Sequence, residues 1–395
     1  MSVACQQGRR SRYDAEKELP VGAGGHWVRA RYRRLMARSV HSRRTATMAA
    51  LAAELGVSRT TVSNAYNRPD QLSPELRKRV LETARRLGYP GPDPVARSLR
   101  TRQAGAVGVL LTEALSSAFQ DPAAIGFLEG LAMACGDAGR GLLLVPAGPD
   151  ADERKVTATV HRAAVDGFVV YSVPDDDPHF AAVLQRPLPV VVCDQPQVDG
   201  VAHVGIDDRA AMQNLGAHLV GLGHRRIGVV CVRLGRDRHD GFVTVRRQRA
   251  TRFPVQRARL AGLADAFGAA LLDWNAVPVV ERFDHTISSG ASATSELLDR
   301  DSRLTAIVCT SDILALGALH EIRQRGRRVP EDFTVTGFDG VPEAERAGLT
   351  TVSQPVLEKG QVAGRLLLDR SRPKNRTIML PTDLVVRSTS GRAPS

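Results

Sequence analysis

The chain has 395 residues, 43% of them apolar, enough for one small and one larger globular unit. No apolar run approaches the roughly 18 residues of a membrane span and no apolar secretory leader is present, so a cytoplasmic protein away from membranes is expected. The formal charge of +12 is uneven: residues 1–44 hold 11 Lys and Arg against 3 acids, residues 45–102 hold 10 against 5, and the remainder holds 33 against 34. A basic head on a neutral body suits phosphate contact through the head alone.

Residues 1–35 show no sustained periodicity, cap or strand alternation, so 1–45 reads as a disordered basic extension. Translation from Met36 is preferred over Met1, and in either case residues 1–40 are expected to be disordered. From 46 to 90 the pattern changes to a helix-turn-helix. Met48, Leu51, Ala52 and Leu55 form one helical stripe, Gly56 suits a turn at positive φ, Val57 plugs the corner and Ser58 caps a second helix. Val62, Ala65 and Tyr66 are packing positions in that helix. Arg59, Thr60, Thr61, Ser63, Asn64 and Asn67 are the candidate contacts to base edges and phosphates. Ser73-Pro74-Glu75 opens a third helix striped by Leu76, Val80, Ala84 and Leu87 and ended by Gly88. Pro90, Pro92 and Pro94 bracket a break, and 91–104 reads as a hinge whose one large apolar residue, Leu99, stands among Arg97, Arg100 and Arg102.

Beyond the hinge, strand and helix alternate. Expected strands are Ala106–Leu111, Gly141–Val145, Gly167–Tyr171, Val190–Cys193, Ile227–Val232, Val277–Val280, Ala306–Cys309 and Thr334–Gly337. Expected helices include Arg209–Gly221, Gln256–Phe267, Ala293–Leu298 and Asp312–Arg323. Such alternation calls for parallel sheets covered on both faces, and this many units suit two α/β lobes better than one sheet.

The segments GVSRTTVSNAYN, LGYPGPDPVARSLRT, HLVGLGHRRIGVV, SDILALGAL, RRVPEDFTVTGFDG and TTVSQP resemble, in order and spacing from about Thr47 to Arg387, the lactose/galactose-repressor family of bacterial transcription regulators. The resemblance implies a three-helix DNA-binding head, a hinge helix and a two-lobed, periplasmic-binding-protein-like effector and dimerisation domain over 105–390. Lobe 1 is expected at about 105–206 and 354–375, and lobe 2 at about 207–353 and 376–390. It also implies a homodimer on a near-palindromic double-stranded DNA operator, with Leu99 as a minor-groove wedge beside Arg97 and Arg100. A small effector, a sugar, would sit between the lobes and switch DNA affinity, with no cofactor.

Asp194 follows the strand PVVVC and Asp312 follows AIVCTS, positions where ligands of open α/β sheets bind. Phe119, after the first strand, is placed to cover a sugar face, and Arg259 in RARLAGL matches the family arginine of the effector cleft. Each polar candidate also has a structural reading: Asp194 as a turn former, Asp312 as a helix cap, Arg259 as a solvated helix residue. Three positions depart from the family pattern: Ala50 stands for an acid, Asn64 for Arg and Asp93 for Asn, and the last two leave the operator sequence open.

The run Asp175-Asp176-Asp177-Pro178-His179 has turn composition and no companion ligands at metal spacing. Cys5, Cys135, Cys193, Cys231 and Cys309 are scattered without a CxxC pair, and no redox or metal role is expected of them. The basic stretch Arg233–Arg257 reads as a solvated loop over the cleft, with DNA contact or mobility as alternatives. No leucine heptads follow LVVRSTSGR, so a dimer through the lobes is expected. The competing reading is an α/β enzyme acting on a sugar or nucleoside, with an incidental basic head. It lacks a GxSxG, a phosphate loop or a strand-linked GxGxxG, and it gives the hinge no purpose.

Overall fold

A computed structural model describes residues 46–93, 98, 103–113, 115–149, 151–369 and 375–394. The extension 1–45 and the hinge candidates Arg97, Leu99 and Arg100 lie outside the described residues. The chain divides after Thr101 into two compact units.

The first unit holds α1 (Met48–Leu55), α2 (Arg59–Asn67) and α3 (Pro74–Leu87). Each helix begins where a hydroxyl accepts from a free backbone N–H: Thr47 from Ala50 at 3.2 Å, Ser58 from Thr61 at 2.9 Å and Ser73 from Leu76 at 3.3 Å. Gly56 (φ 65°) and Gly88 (φ 69°) end α1 and α3 in the left-handed conformation. Leu51, Ala52, Val62, Ala65, Val80 and Ala84 meet in the core, with Tyr66 and Tyr89 edge to face at 6.1 Å beside it.

The second unit contains two sheets. The first runs in the order β12 (Thr377–Leu380), β5 (Ala202–Ile206), β4 (Val190–Cys193), β3 (Phe168–Tyr171), β1 (Ala106–Leu111) and β2 (Gly141–Pro146), all parallel. The second runs β13 (Asp383–Val385), β11 (Thr350–Ser353), β10 (Thr334–Asp339), β9 (Ala306–Cys309), β6 (Ile227–Val232), β8 (Val279–Arg282) and β7 (Gly241–Phe242). Its two edge strands are antiparallel to their neighbours and the rest are parallel. Among the described residues no helix is long and apolar enough to cross a membrane.

The chain crosses between lobes after β5, after β11 and again between β12 and β13. Residues 377–380 therefore belong to the first lobe, not to a second-lobe segment starting at 376. The strand TIML is short and half exposed, and only its parallel register with β5 (Ile378 beside Val204) reveals its sheet. After the second crossing, helix Val356–Leu368 packs on helix Pro122–Asp137 so closely that both need glycine. A Cβ at Gly130 would lie 1.9 Å from the Leu357 carbonyl oxygen, and one at Gly360 2.1 Å from that of Phe127.

β8 spans Val279–Arg282 rather than 277–280 because Glu281 and Arg282, charged yet buried, continue it. The basic stretch after β6 is not simply a solvated loop. It forms β7 and the helix Val245–Arg249, and Arg247 donates to Glu281 at 2.6 and 2.9 Å and to Asp237 at 3.0 and 3.3 Å.

Candidate functional site

In the head, Arg59 and Thr60 are exposed at the start of α2, while Thr61, Ser63, Asn64 and Asn67 are half-buried. Thr61 shares a 2.9 Å hydrogen bond with the Ser58 cap. Asn67 turns back on α2, donating to the Ser63 carbonyl at 3.0 Å and hydroxyl at 3.1 Å. Asn64 donates to Gln71 Oε1 at 3.1 Å, which leaves its carbonyl oxygen and one amide hydrogen available to a base.

In the second unit, the carboxyl ends of the strands of both lobes face a cavity of about 140 Å³. Asp194 and Arg259 both line it. Asp194 stands just past β4 at φ 67° and accepts from the ammonium of Lys359. Arg259, buried in helix Pro254–Ala269, donates to Asp208 at 2.8 Å and to the Thr310 carbonyl at 2.7 Å. Its guanidinium lies 3.6 Å over the Phe338 ring and 3.8 Å from Asp339. Burial raises the Asp208 carboxyl, and Arg259 opposes that rise.

Two sequence candidates lie elsewhere. Asp312 does not line the cavity. It is fully buried and accepts from Gly340 N at 2.7 Å, Val341 N at 3.0 Å and the Thr351 hydroxyl at 2.6 Å, so its carboxylate braces the loop after β10. The neighbours Thr310 and Ser311 face the cavity instead, and Ser311 is also the helix cap, accepting from Leu314 N at 3.3 Å. Phe119 is 55% exposed and also off the cavity wall. The aromatic walls are Tyr171, stacked on Phe127 at 4.1 Å, together with Phe253 and Phe283.

Asp339 is, with Glu113 and Asp121, one of three cavity carboxylates that the sequence reading missed. It ends β10 at φ 122°, lines the cavity and accepts from Gln354 Nε2 at 2.6 Å. The strand-end rule that nominated Asp194 applies equally to Asp339 in GFDG and to Tyr171 at the end of β3. Burial pushes the Asp339 carboxyl up to about 6, with Arg259 opposing and Asp121 adding to the rise. The folded state thus holds this proton more tightly than the unfolded chain does. The resulting stabilisation is full below about pH 4 and is lost as pH rises through about 6. Asp339→Asn cannot titrate, so its stability relative to the parent chain should improve by about 1 kcal/mol between about pH 5 and about pH 7.5. Urea unfolding at both values tests this, and an unchanged difference contradicts it.

Several contacts bridge the lobes around the cavity. Arg233 pairs with Glu113, Val255 N donates to Gln195 Oε1 at 2.8 Å, and His285 Nδ1 lies 3.7 Å from Asp121. The acidic run has similar work: Asp175 lies 3.5 Å from Arg257 and Asp176 3.4 Å from Arg252, while Asp177 caps the next helix, accepting from His179 N at 2.8 Å.

A helix-turn-helix head and a two-lobed unit with a polar cleft, carried on one chain, define a DNA-binding regulator with a small-molecule sensor. Comparison with known proteins agrees. Residues 217–390 match the family described as a periplasmic binding protein-like domain. An HTH-type transcriptional regulator of Mycobacterium tuberculosis is 56% identical, over 88% of this chain and 98% of its own length. A LacI-family transcriptional regulator of Corynebacterium glutamicum has a crystal structure that superposes with a TM-score of 0.67 at 40% identity, covering 88% of this chain and 98% of that one. The CelR–cellobiose complex superposes at 0.64 with 28% identity, covering 87% of this chain and 99% of that one. The chain belongs to the lactose-repressor (LacI) family of HTH-type transcriptional regulators. It is a regulator and not an enzyme.

Proposed function

We propose that this chain represses transcription in the cytoplasm, binding a near-palindromic operator as a homodimer, and that a sugar in the inter-lobe cleft switches its DNA affinity. The observation that carries the reading is the cavity itself, where Asp194 of one lobe and Arg259 and Asp339 of the other converge as fixed partners for hydroxyl groups. A related regulator, CelR, has been solved with cellobiose in complex. Arg59, Thr60 and Asn64 are the proposed reading residues of α2. Leu99 is the proposed wedge and Arg97 and Arg100 its phosphate partners, on the sequence pattern of the hinge.

Selection of bound DNA from a random library by the full chain, followed by titration of the enriched site with and without sugars, tests the whole reading. A near-palindromic site whose affinity changes with one sugar is the expected outcome. Enrichment of no site removes the DNA-binding part, and an enriched site indifferent to every sugar removes the switch. The same selection tests Asn64. Adenine is its best geometric partner through N6 and N7, whereas arginine pairs with guanine O6 and N7, each worth about 1–3 kcal/mol. Asn64→Arg should therefore turn one adenine of the half-site into guanine, and identical consensus sites would remove Asn64 from base reading.

A further inference from the structure

Lys359 is an ammonium buried under the floor of the cleft, 1% exposed, in helix Val356–Leu368. Its Nζ donates to Asp194 Oδ1 and to Gln354 Oε1. An ammonium cannot accept, so the Gln354 oxygen must face it, and the amide nitrogen is thereby turned to Asp339 Oδ1 at 2.6 Å. One buried cation thus sets the orientation of cavity carboxylates on both lobes. Burial alone would lower the Lys359 pKa, but Asp194 and its neighbours hold it above the ordinary lysine value. Four carboxylates line the cavity, Glu113, Asp121, Asp194 and Asp339, and Gln256 beside them has an Oε1 buried with no partner among the described residues. The nearby basic side chains already face carboxylates: Arg233 meets Glu113, Arg259 meets Asp208, Lys359 meets Asp194, and His285 lies 3.7 Å from Asp121. A phosphate brought here would meet carboxylates and no unpaired cation. The volume of about 140 Å³ is also well below the roughly 300–1,000 Å³ of pockets that enclose drug-sized ligands, which points to a single ring.

We propose that Lys359 is a positioning residue that commits this cleft to unphosphorylated, single-ring polyols, by fixing Asp194 and Gln354 so that the ligand's hydroxyls meet acceptors from both lobes. The proposal rests on the ligand-switched reading above. Pyranoses and carbocyclic polyols share this chemistry, and the probes separate them.

The test uses the full chain and thermal-shift and calorimetric titrations with D-ribose, D-glucose, D-galactose, carbocyclic hexols, D-ribose 5-phosphate, D-glucose 6-phosphate and cellobiose. At least one unphosphorylated ring should raise the melting temperature, while the phosphate esters and cellobiose do not. For that ring, Lys359→Met should raise Kd by about 10–100-fold, the scale of a lost charge-assisted contact. Lys359→Met also leaves Asp194 buried without its partner and should lower the melting temperature of the ligand-free protein. Adding Asp194→Asn removes the uncompensated charge and should restore that temperature, because replacing both partners of a buried pair is commonly tolerated. Asp194→Asn alone is the reference for binding: because Lys359 also orients Gln354 and through it Asp339, the double variant should bind the ring more weakly than Asp194→Asn alone, which a purely structural role of Lys359 does not predict. A double variant that binds the ring as tightly as Asp194→Asn alone, an ester or cellobiose that binds as tightly as the best ring, or no thermal shift with any ring overturns the proposal. DNA selection by the unmodified chain reports separately on the underlying reading: loss of site enrichment there leaves the ligand titrations interpretable.

Discussion

Arg259→Ala is expected to lower the unfolding free energy of the C-terminal unit by about 3–5 kcal/mol, because truncating one partner of a buried pair strands the other. Arg259 and Asp208 are each at least nine-tenths buried, and the guanidinium also satisfies the Thr310 carbonyl at 2.7 Å and covers Phe338. Removing it leaves Asp208 charged in a dry site, opens space against an aromatic ring and takes a donor from the cavity wall. The response to any cleft ligand should disappear with it. Urea unfolding followed by circular dichroism, with the Asp208→Asn/Arg259→Met pair beside it, separates the two effects. The pair should recover most of the stability and none of the ligand response. A loss below about 1 kcal/mol for the single variant contradicts the geometry described.

Glu281→Ala should cost about 2–3 kcal/mol although Glu281 lies off the cavity wall, because it strands the buried Leu234 N–H while Arg247, partly exposed, keeps Asp237. The Glu281 side chain is fully buried at the end of β8, where it accepts two bonds from Arg247 and one from Leu234 N at 2.7 Å. It anchors the whole basic excursion between β6 and the helix that carries Arg259. Loss of this carboxylate should release residues 233–253, and hydrogen exchange should rise there before it rises in β6 or β9. Faster exchange spread evenly over the lobe, or none at all, would argue that the excursion is held by other contacts.

The head was legible in the sequence almost residue by residue. Its caps and turns are local devices: Ser58, Ser73, Gly56 and Gly88 act within four residues of where they stand. Most buried strands were equally clear, since uninterrupted runs such as AVGVLL and IGVVCV suit a parallel sheet covered on both faces, but β5 was missed because His203 and Gly205 break its apolar run although it is buried throughout. β11, β12 and β13 were not legible either, being short and partly polar and taking their identity only from the neighbour they pair with.

The cleft divides the same way. Strand ends point to where a ligand belongs, and Asp194 and Arg259 follow from that rule and from the family pattern. Which of two adjacent residues faces the cavity does not. A rotation of one residue separates Ser311, on the wall, from Asp312, behind it bracing the loop after β10. Nor does any local pattern mark Lys359, whose helix places it 165 residues from Asp194 in sequence and within hydrogen-bonding reach in space. By itself the sequence determined the order of elements, their buried faces and the helix-turn-helix, because propensity, capping and periodicity act over a few residues. Only the tertiary structure decided which charges pair, because a buried carboxylate takes whichever cation the crossing strands bring within reach, and desolvation leaves it no alternative.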